Sequence, residues 1–276
     1  MNRLKLLLCL LLLSMISCEQ KSSETDVSKR SAATNESPLE SARPPEAADD
    51  PTVETPAWAE LHIHGAMKRV NLDKDLNPIV NVADALPAIN HGVGAVGGLL
   101  GEITVLDENI HVARSGSDEV GFDHYKNAED LGALDATLLF GAKVDAWQEL
   151  ELNEGTDRDA LVKTLEAWRR DNAPGQPVPF RVKDPAATVN WHVVDATRFP
   201  EGGATTCEER KELSHQFAHS GIEVTLVGIY TTEHTGVIVD HTTPVHAHVV
   251  LAAGPGGHLD TFTLSEDARL MVPAIP

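Results

Sequence analysis

The residues best suited to chemistry stand near the C-terminal end of the chain. They are His246-Ala247-His248, and then Gly256-Gly257-His258, whose histidine falls ten residues after His248. In a β-strand, residues i and i+2 point to the same face. A hairpin closed at Ala253-Gly254-Pro255-Gly256-Gly257 brings His258 back beside that face. Three neutral imidazoles on one pleated surface form part of a tetrahedral or octahedral shell. They leave positions open for water or substrate, as catalytic divalent-metal sites do and closed structural sites do not. The plainer reading is that these are ordinary half-buried strand histidines, since the chain has 13 of them. Three imidazoles with open positions suit Zn²⁺, Ni, Co, Fe or Mn.

The elements that must position these residues are mostly strands. Glu60 to Met67, Leu138 to Glu151, Val178 to Val182, Ala187 to Asp195, Ile222 to Thr231, Gly236 to Asp240, Val245 to Ala252, His258 to Leu264 and the stretch near Arg269 to Val272 read as strands. Glu102 to Leu106 and Ile110 to Val112, around Asp107-Glu108-Asn109, form a hairpin pattern. His91 to Gly98 is glycine-rich and predicts close backbone packing or a bulge. A short helix is expected over Asn81 to Ala88 with Asn81 as cap, and one strong helix over Thr156 to Asn172. In the latter, Thr156 and Asp159 can form a capping-box variant, and Ala160, Leu161, Thr164, Leu165 and Trp168 line one stripe. Pro200 to His219 reads as a polar, irregular connection. His215 and His219 are spaced for one helix face and a second metal, but their place in a polar connection favours solvent exposure. His62 and His64 lack a third partner, whereas His241 or Thr242 can support the triad from behind. The fold class is therefore α+β, with mixed or antiparallel sheets in two sub-domains and one main helix.

The first 17 residues read as a signal peptide, with Arg3 and Lys5 before the apolar run Leu6 to Ile16. The residues before Cys18 resemble a bacterial lipobox, which implies cleavage and lipidation at Cys18; the alternative is a plain secretory signal cleaved nearby. Cys9 leaves with the signal, so Cys207 has no disulfide partner within the mature chain. Residues 18–56 are Ser, Glu, Ala, Pro, Asp and Thr-rich and read as a flexible tether. Residues 57–276 are then the folded domain, with an N-terminal sheet over about 57–175 and a C-terminal, metal-bearing sheet over about 176–276. A net charge of −20, with no basic cluster outside the leader, argues against nucleic-acid binding. The expected place is the cell envelope, with membrane contact only through the lipid.

Four segments resemble one family, the α-acetolactate decarboxylases. They are the run from His91 to Ile103 with its Gly101-Glu102 ending, the hairpin around Val105-Leu106-Asp107, the mid-chain pair Phe180-Arg181-Val182 and Val189 to Val194, and His246-Ala247-His248 with Gly256-Gly257-His258. Their order and approximate spacing agree over roughly residues 58–275. The resemblance implies a zinc triad of His246, His248 and His258, and Glu102 as proton carrier. It implies a reaction in which a 2-hydroxy-2-methyl-3-oxo acid loses carbon dioxide and the enediolate is protonated to acetoin. Such a reaction needs a Lewis acid at the developing oxygen charge and a proton donor at the reacting carbon. A homodimer is also implied. Two departures stand out. His192 occupies the strand position where the family has an arginine, and it cannot fork a carboxylate as arginine does. The 18 residues after His258 carry no counterpart of the family's C-terminal glutamate.

The expectation is a lyase acting on acetolactate or a related small 2-hydroxy-3-oxo acid, with Glu102 and His192 as catalytic residues. The alternative is a non-catalytic metal- or ligand-binding envelope lipoprotein on the same scaffold. Acetolactate is made inside cells, so an enzyme outside the inner membrane has to meet exported substrate. That keeps a related substrate open.

Overall fold

The computed structural model describes Trp58 and residues 60–275, apart from 117, 118, 202, 204 and 205. The signal peptide, Cys18 and the whole of the expected tether lie outside the described residues. In chain order the first half holds β1 (His62–His64), α1 (Met67–Asn71), β2 (Val80–Asn81), α2 (Val82–Ala85), β3 (His91–Val96), β4 (Gly101–Leu106), β5 (Asn109–Ser115), β6 (Val120–Tyr125) and β7 (Asp135–Ala142). The second half holds β8 (Trp147–Glu151), α3 (Arg158–Asn172), β9 (Val178–Val193), α4 (Cys207–Leu213), β10 (His215–Tyr230), β11 (Val245–Leu251), β12 (Gly256–Thr263) and β13 (Arg269–Pro273).

Two antiparallel sheets result. The first has the order β1-β7-β3-β4-β5-β6, with β2 on β7; the second has the order β10-β11-β12-β9-β13-β8. The passage from one sheet to the other comes between β7 and β8, earlier than the expected boundary near residue 175. Trp147 to Glu151 pairs with β13, so the strand before the main helix already belongs to the second sheet. Within that sheet β9 pairs with β10, β10 with β11, β11 with β12, and β12 again with β9, so this part closes into a ring.

Apolar packing explains the arrangement. Val82, Ala85, Ile103, Val105 and Leu139 form a core where α2 covers the first sheet. Leu161, Leu165 and Trp168 of α3 join Phe180, Trp191 and Leu226 in the core of the second. Ala95, Leu138 and Phe140 of the first sheet pack with Val194, Ile229 and Ile238, and this third cluster binds the two halves together.

Several expectations need correction. The strand expected over Glu60 to Met67 keeps only His62–His64, and Met67 already begins α1. The cap of α3 is Asp157, whose side chain accepts from the Ala160 N–H at 3.0 Å. Thr156, the expected cap, turns its hydroxyl to the Asn153 carbonyl at 2.6 Å instead. The two strands expected over 178–195 are one strand, β9, running through Pro185. Proline has no N–H to give to a ladder, and here the register with β10 jumps, so that Asp184 and Ala187 are paired while Pro185 is not. Pro200 to His219 contains α4, capped by Thr206, and the start of β10. Gly236 to Asp240 is a turn held by a bridge between Thr235 and Val239, not a strand.

Gly101, which leads into Glu102, shows why the glycine run is needed. Its φ is +136°, and a Cβ there would stand 1.9 Å from the Ala113 carbonyl oxygen of β5. Gly101→Ala is therefore expected to lose about 3 kcal/mol of stability, read as a lower midpoint in urea denaturation, because neither backbone can yield.

Candidate metal centre and its cavity

The second sheet assembles the histidines through its register. His246 and His248 share one face of β11; His258 of β12 stands opposite His248, and His192 of β9 stands opposite His258. The turn that returns β12 is closed by Leu251 N–H donating to Pro255 O at 2.8 Å, with Gly254 at φ +103°. Gly257 lets β12 lie flush on β9, for a Cβ there would be 2.5 Å from the His192 carbonyl oxygen. The ring centroids of His246, His248 and His258 are 5.0–5.7 Å apart. One nitrogen from each lies within 4.8 Å of the other two. Among the described residues this is the one cluster of three or more His, Cys, Asp or Glu groups placed to hold a metal.

The nitrogens that face away from this point are already engaged. His246 Nδ1–H donates to the Ile238 carbonyl at 2.8 Å, and His248 Nδ1 meets the Thr104 hydroxyl at 2.9 Å. Such bonds fix the ring orientation and leave Nε2 as the donor atom for an ion. His248 Nε2 is buried, lies 3.5 Å from Glu102 Oε2 and makes no hydrogen bond within the described protein. A buried lone pair left without a partner is costly unless something fills the place. The residues therefore fit a divalent ion. Burial, reinforced by the neighbouring histidines, holds the pKa values of His248 and His258 well below 6.5, and burial also lowers that of His246. All three are thus kept neutral, the state in which imidazole binds metal.

The first sheet contributes the acid. Glu102 and Thr104 are i and i+2 on β4 and both face His248. Glu102 Oε1 accepts the Val194 N–H at 3.2 Å. Burial pushes its carboxyl well above 4.5, helped by the charge of Asp260 and opposed by the Val194 bond. Burial thus favours the neutral form of both Glu102 and His248 in the metal-free protein, which disfavours an ion pair between them. His192 is 4.9 Å from His258 between ring centroids, and its Nδ1 meets both carboxylate oxygens of Asp260 at 3.0 and 3.1 Å. Glu102, His192, His246 and His258 line one cavity of about 670 Å³, with Leu99, Leu138 and Ile238 among its apolar walls. That is the size of a small-molecule site.

Sequence reasoning missed Thr104, Ile238 and Asp260, the residues that orient the rings. Thr104 was discoverable as i+2 from Glu102, whereas the Ile238 carbonyl has no side-chain signal. His241 and Thr242 line the cavity, but the bonds to the His246 and His248 rings come from Ile238 and Thr104. His215 and His219 lie on a strand, not a helix. His215 Nε2 is 3.1 Å from the Asp195 carboxylate and His219 stacks near Trp191, so they form no second metal site.

His91 lies apart from the centre and ties β3 to β10 by donating Nε2–H to the Gly228 carbonyl at 3.1 Å. Burial, with a smaller contribution from the Arg181 charge, lowers its pKa from 6.5 to about 4. A depressed histidine is neutral when folded and takes a proton more readily when unfolded. Its stabilisation is whole above pH 6.5 and fades as pH falls from 6.5 to about 4. The loss amounts to about 3 kcal/mol across that window. His91→Gln is expected to flatten this fall by one proton's share, measured by urea unfolding of metal-free protein between pH 7.5 and 4.5.

No protein-family model matches the sequence, and no curated protein matches it either. Solved structures do. A Staphylococcus aureus protein of unknown function, described as similar to α-acetolactate decarboxylase, superposes with a TM-score of 0.60 at 17% identity, covering 78% of this chain and 85% of that one. The α-acetolactate decarboxylase of Bacillus subtilis strain 168 gives 0.62 at 15% identity, covering 78% and 86%. That of B. subtilis subspecies spizizenii gives 0.60 at 16%, covering 78% and 86%. The domain therefore has an α+β fold of two antiparallel sheets, related to that of the acetolactate decarboxylases. Among the described residues, no helix is long and apolar enough to cross a membrane.

Proposed function

We propose that the domain is a metal-dependent carboxy-lyase that removes carbon dioxide from a small 2-hydroxy-3-oxo acid. Acetolactate, which would yield acetoin, is the first candidate. The observation that carries this reading is the meeting of one buried carboxyl, Glu102, with three neutral imidazoles at a cavity of small-molecule size. The related fold supports it. His246, His248 and His258 would hold the ion, with Zn²⁺ the first choice for three imidazoles and open positions. When bound, the ion supplies a Lewis acid for the oxygen on which charge develops.

The chain's own residues would do the rest. Glu102 keeps its proton to a higher pH than an exposed glutamate, so it is suited to hand that proton to the reacting carbon. Thr104 and the Ile238 carbonyl hold two of the imidazoles in place. Asp260 fixes the His192 ring, leaving its other nitrogen as a second polar group for the substrate. Leu99, Leu138 and Ile238 exclude water from the intermediate. The same reading includes a homodimer, and tethering in the cell envelope through a lipid on Cys18, with residues 18–56 as spacer.

The test is direct. Zinc-loaded protein is incubated with racemic acetolactate while acetoin and carbon dioxide are followed. Release of both, lost on chelation, is expected. A folded protein that holds stoichiometric zinc and releases neither would instead be a metal- or ligand-binding lipoprotein. Palmitate labelling that vanishes in Cys18→Ser tests the anchor.

A further inference from the structure

One arginine of the cavity makes no ion pair among the described residues. Arg158, the first residue of α3, lines it together with His258 and Glu102. Its guanidinium donates through Nη2 to the backbone carbonyl of Asp260, a neutral acceptor. Among the described residues it bonds no carboxylate. Arginines elsewhere in the domain do: Arg181 holds Asp107 at 2.8 Å and Arg269 holds Glu149 at 3.3 Å.

The acids of the cavity are otherwise engaged. Asp260 is bound to His192, Asp240 accepts from Thr242, and Glu208 lies 3.8 Å from Lys211. Arg158 is half-buried, fixed by one bond and left with further N–H donors in a planar fork. Its charge is felt at His258, whose protonation it opposes. A guanidinium anchored at one corner, beside a three-imidazole centre in a concave site, matches a ligand that has a carboxylate at one end and an oxygen for the centre at the other.

We propose that Arg158 binds the carboxylate of the cavity's ligand, a small 2-hydroxy acid. The link to the lyase reading lies only in which acid this is, because the recognition itself requires no turnover. Arg158 would then act mainly on substrate capture. A carboxylate leaves as neutral carbon dioxide, so a cation holding it favours the bound substrate over the transition state. Arg158→Gln is thus expected to raise KM and to leave kcat unchanged or higher.

The experiment that decides this uses calorimetry on the zinc-loaded full chain with two unreactive probes, 2-hydroxy-2-methylpropanoate and its amide. Wild type is expected to prefer the acid. Arg158→Gln should lose about 10- to 100-fold in affinity for the acid, with the amide unchanged and zinc stoichiometry intact. Arg158→Lys should keep part of the preference, since it retains the charge without the fork. If the glutamine variant fails to fold, the lysine variant and wild type still decide: a wild type that binds acid and amide alike overturns the proposal. So does equal loss of both probes in Arg158→Gln, or loss of acid preference in a Gln variant of Arg210, a second arginine that lines the cavity, with Arg158→Gln unaffected. Because neither probe reacts, a failure of acetolactate turnover leaves this result readable on its own.

Discussion

His248→Ala is expected to abolish stoichiometric metal binding. The side chain is wholly buried, its Nδ1 is held by Thr104, and its Nε2 has no protein hydrogen bond to lose. Removing one of three ligands should cost about 3 kcal/mol or more of metal affinity, at least about 100-fold. Lyase turnover should fall with it. Thr104→Val, which only frees the ring, should weaken the metal by about 10- to 100-fold. Two measurements check this: metal content by mass spectrometry after dialysis, and melting with and without chelator. Zinc in excess should raise the melting temperature of wild type, by the equivalent of about 2.7 kcal/mol at one hundred times Kd, and leave His248→Ala unmoved. A variant that retains stoichiometric zinc would show that the three imidazoles are not the binding set.

Glu102→Gln separates chemistry from folding. As proton carrier, Glu102 should be worth about 10²- to 10⁴-fold in kcat, and the glutamine should leave metal content as it was. Its effect on stability has the opposite sign from that of most carboxylates. Burial raises the folded pKa well above the 4.5 of an unfolded glutamate. The folded state therefore holds its proton where the unfolded state releases it, and stability falls as pH climbs from 4.5 through the folded value. The slope reaches at most about 1.4 kcal/mol per pH unit. Glutamine can still accept the Val194 N–H and carries no titrating proton. In metal-free protein the variant should thus match wild type near pH 4.5 and exceed it increasingly above that. An inactive variant that is more stable marks a functional carboxyl kept at a cost to the fold. Unchanged turnover would remove Glu102 from the mechanism.

The sequence showed the centre more clearly than the frame around it. His246, His248 and His258 were legible because strand periodicity and one glycine turn place them locally. Glu102 and His192 came from resemblance alone, yet both line the same cavity. What escaped was long-range. Pro185 fell between two expected strands because a proline's missing N–H is visible in sequence, while the bulge on β9 that tolerates it, residues 185 and 186 opposite Glu223, depends on the pairing with β10. The start of β10, from His215 to His219, lies in a mostly polar stretch and gains its strand form from pairing with β9. Arg158 carries no signal of its own in the sequence, since nothing local shows that α3 begins beside Asp260.

The return turn between β11 and β12 has a further consequence for how the protein matures. All three candidate metal ligands lie on that one hairpin, whereas Glu102, Thr104 and His192 arrive from strands far away in sequence. Closing a short loop costs little entropy, and docking the two sheets costs much more. Ion capture is thus a local event and assembly of the chemistry a distant one. A chain that meets zinc while still partly folded can load its metal first, and the bound hairpin then becomes the template on which the acid of the other sheet comes to rest.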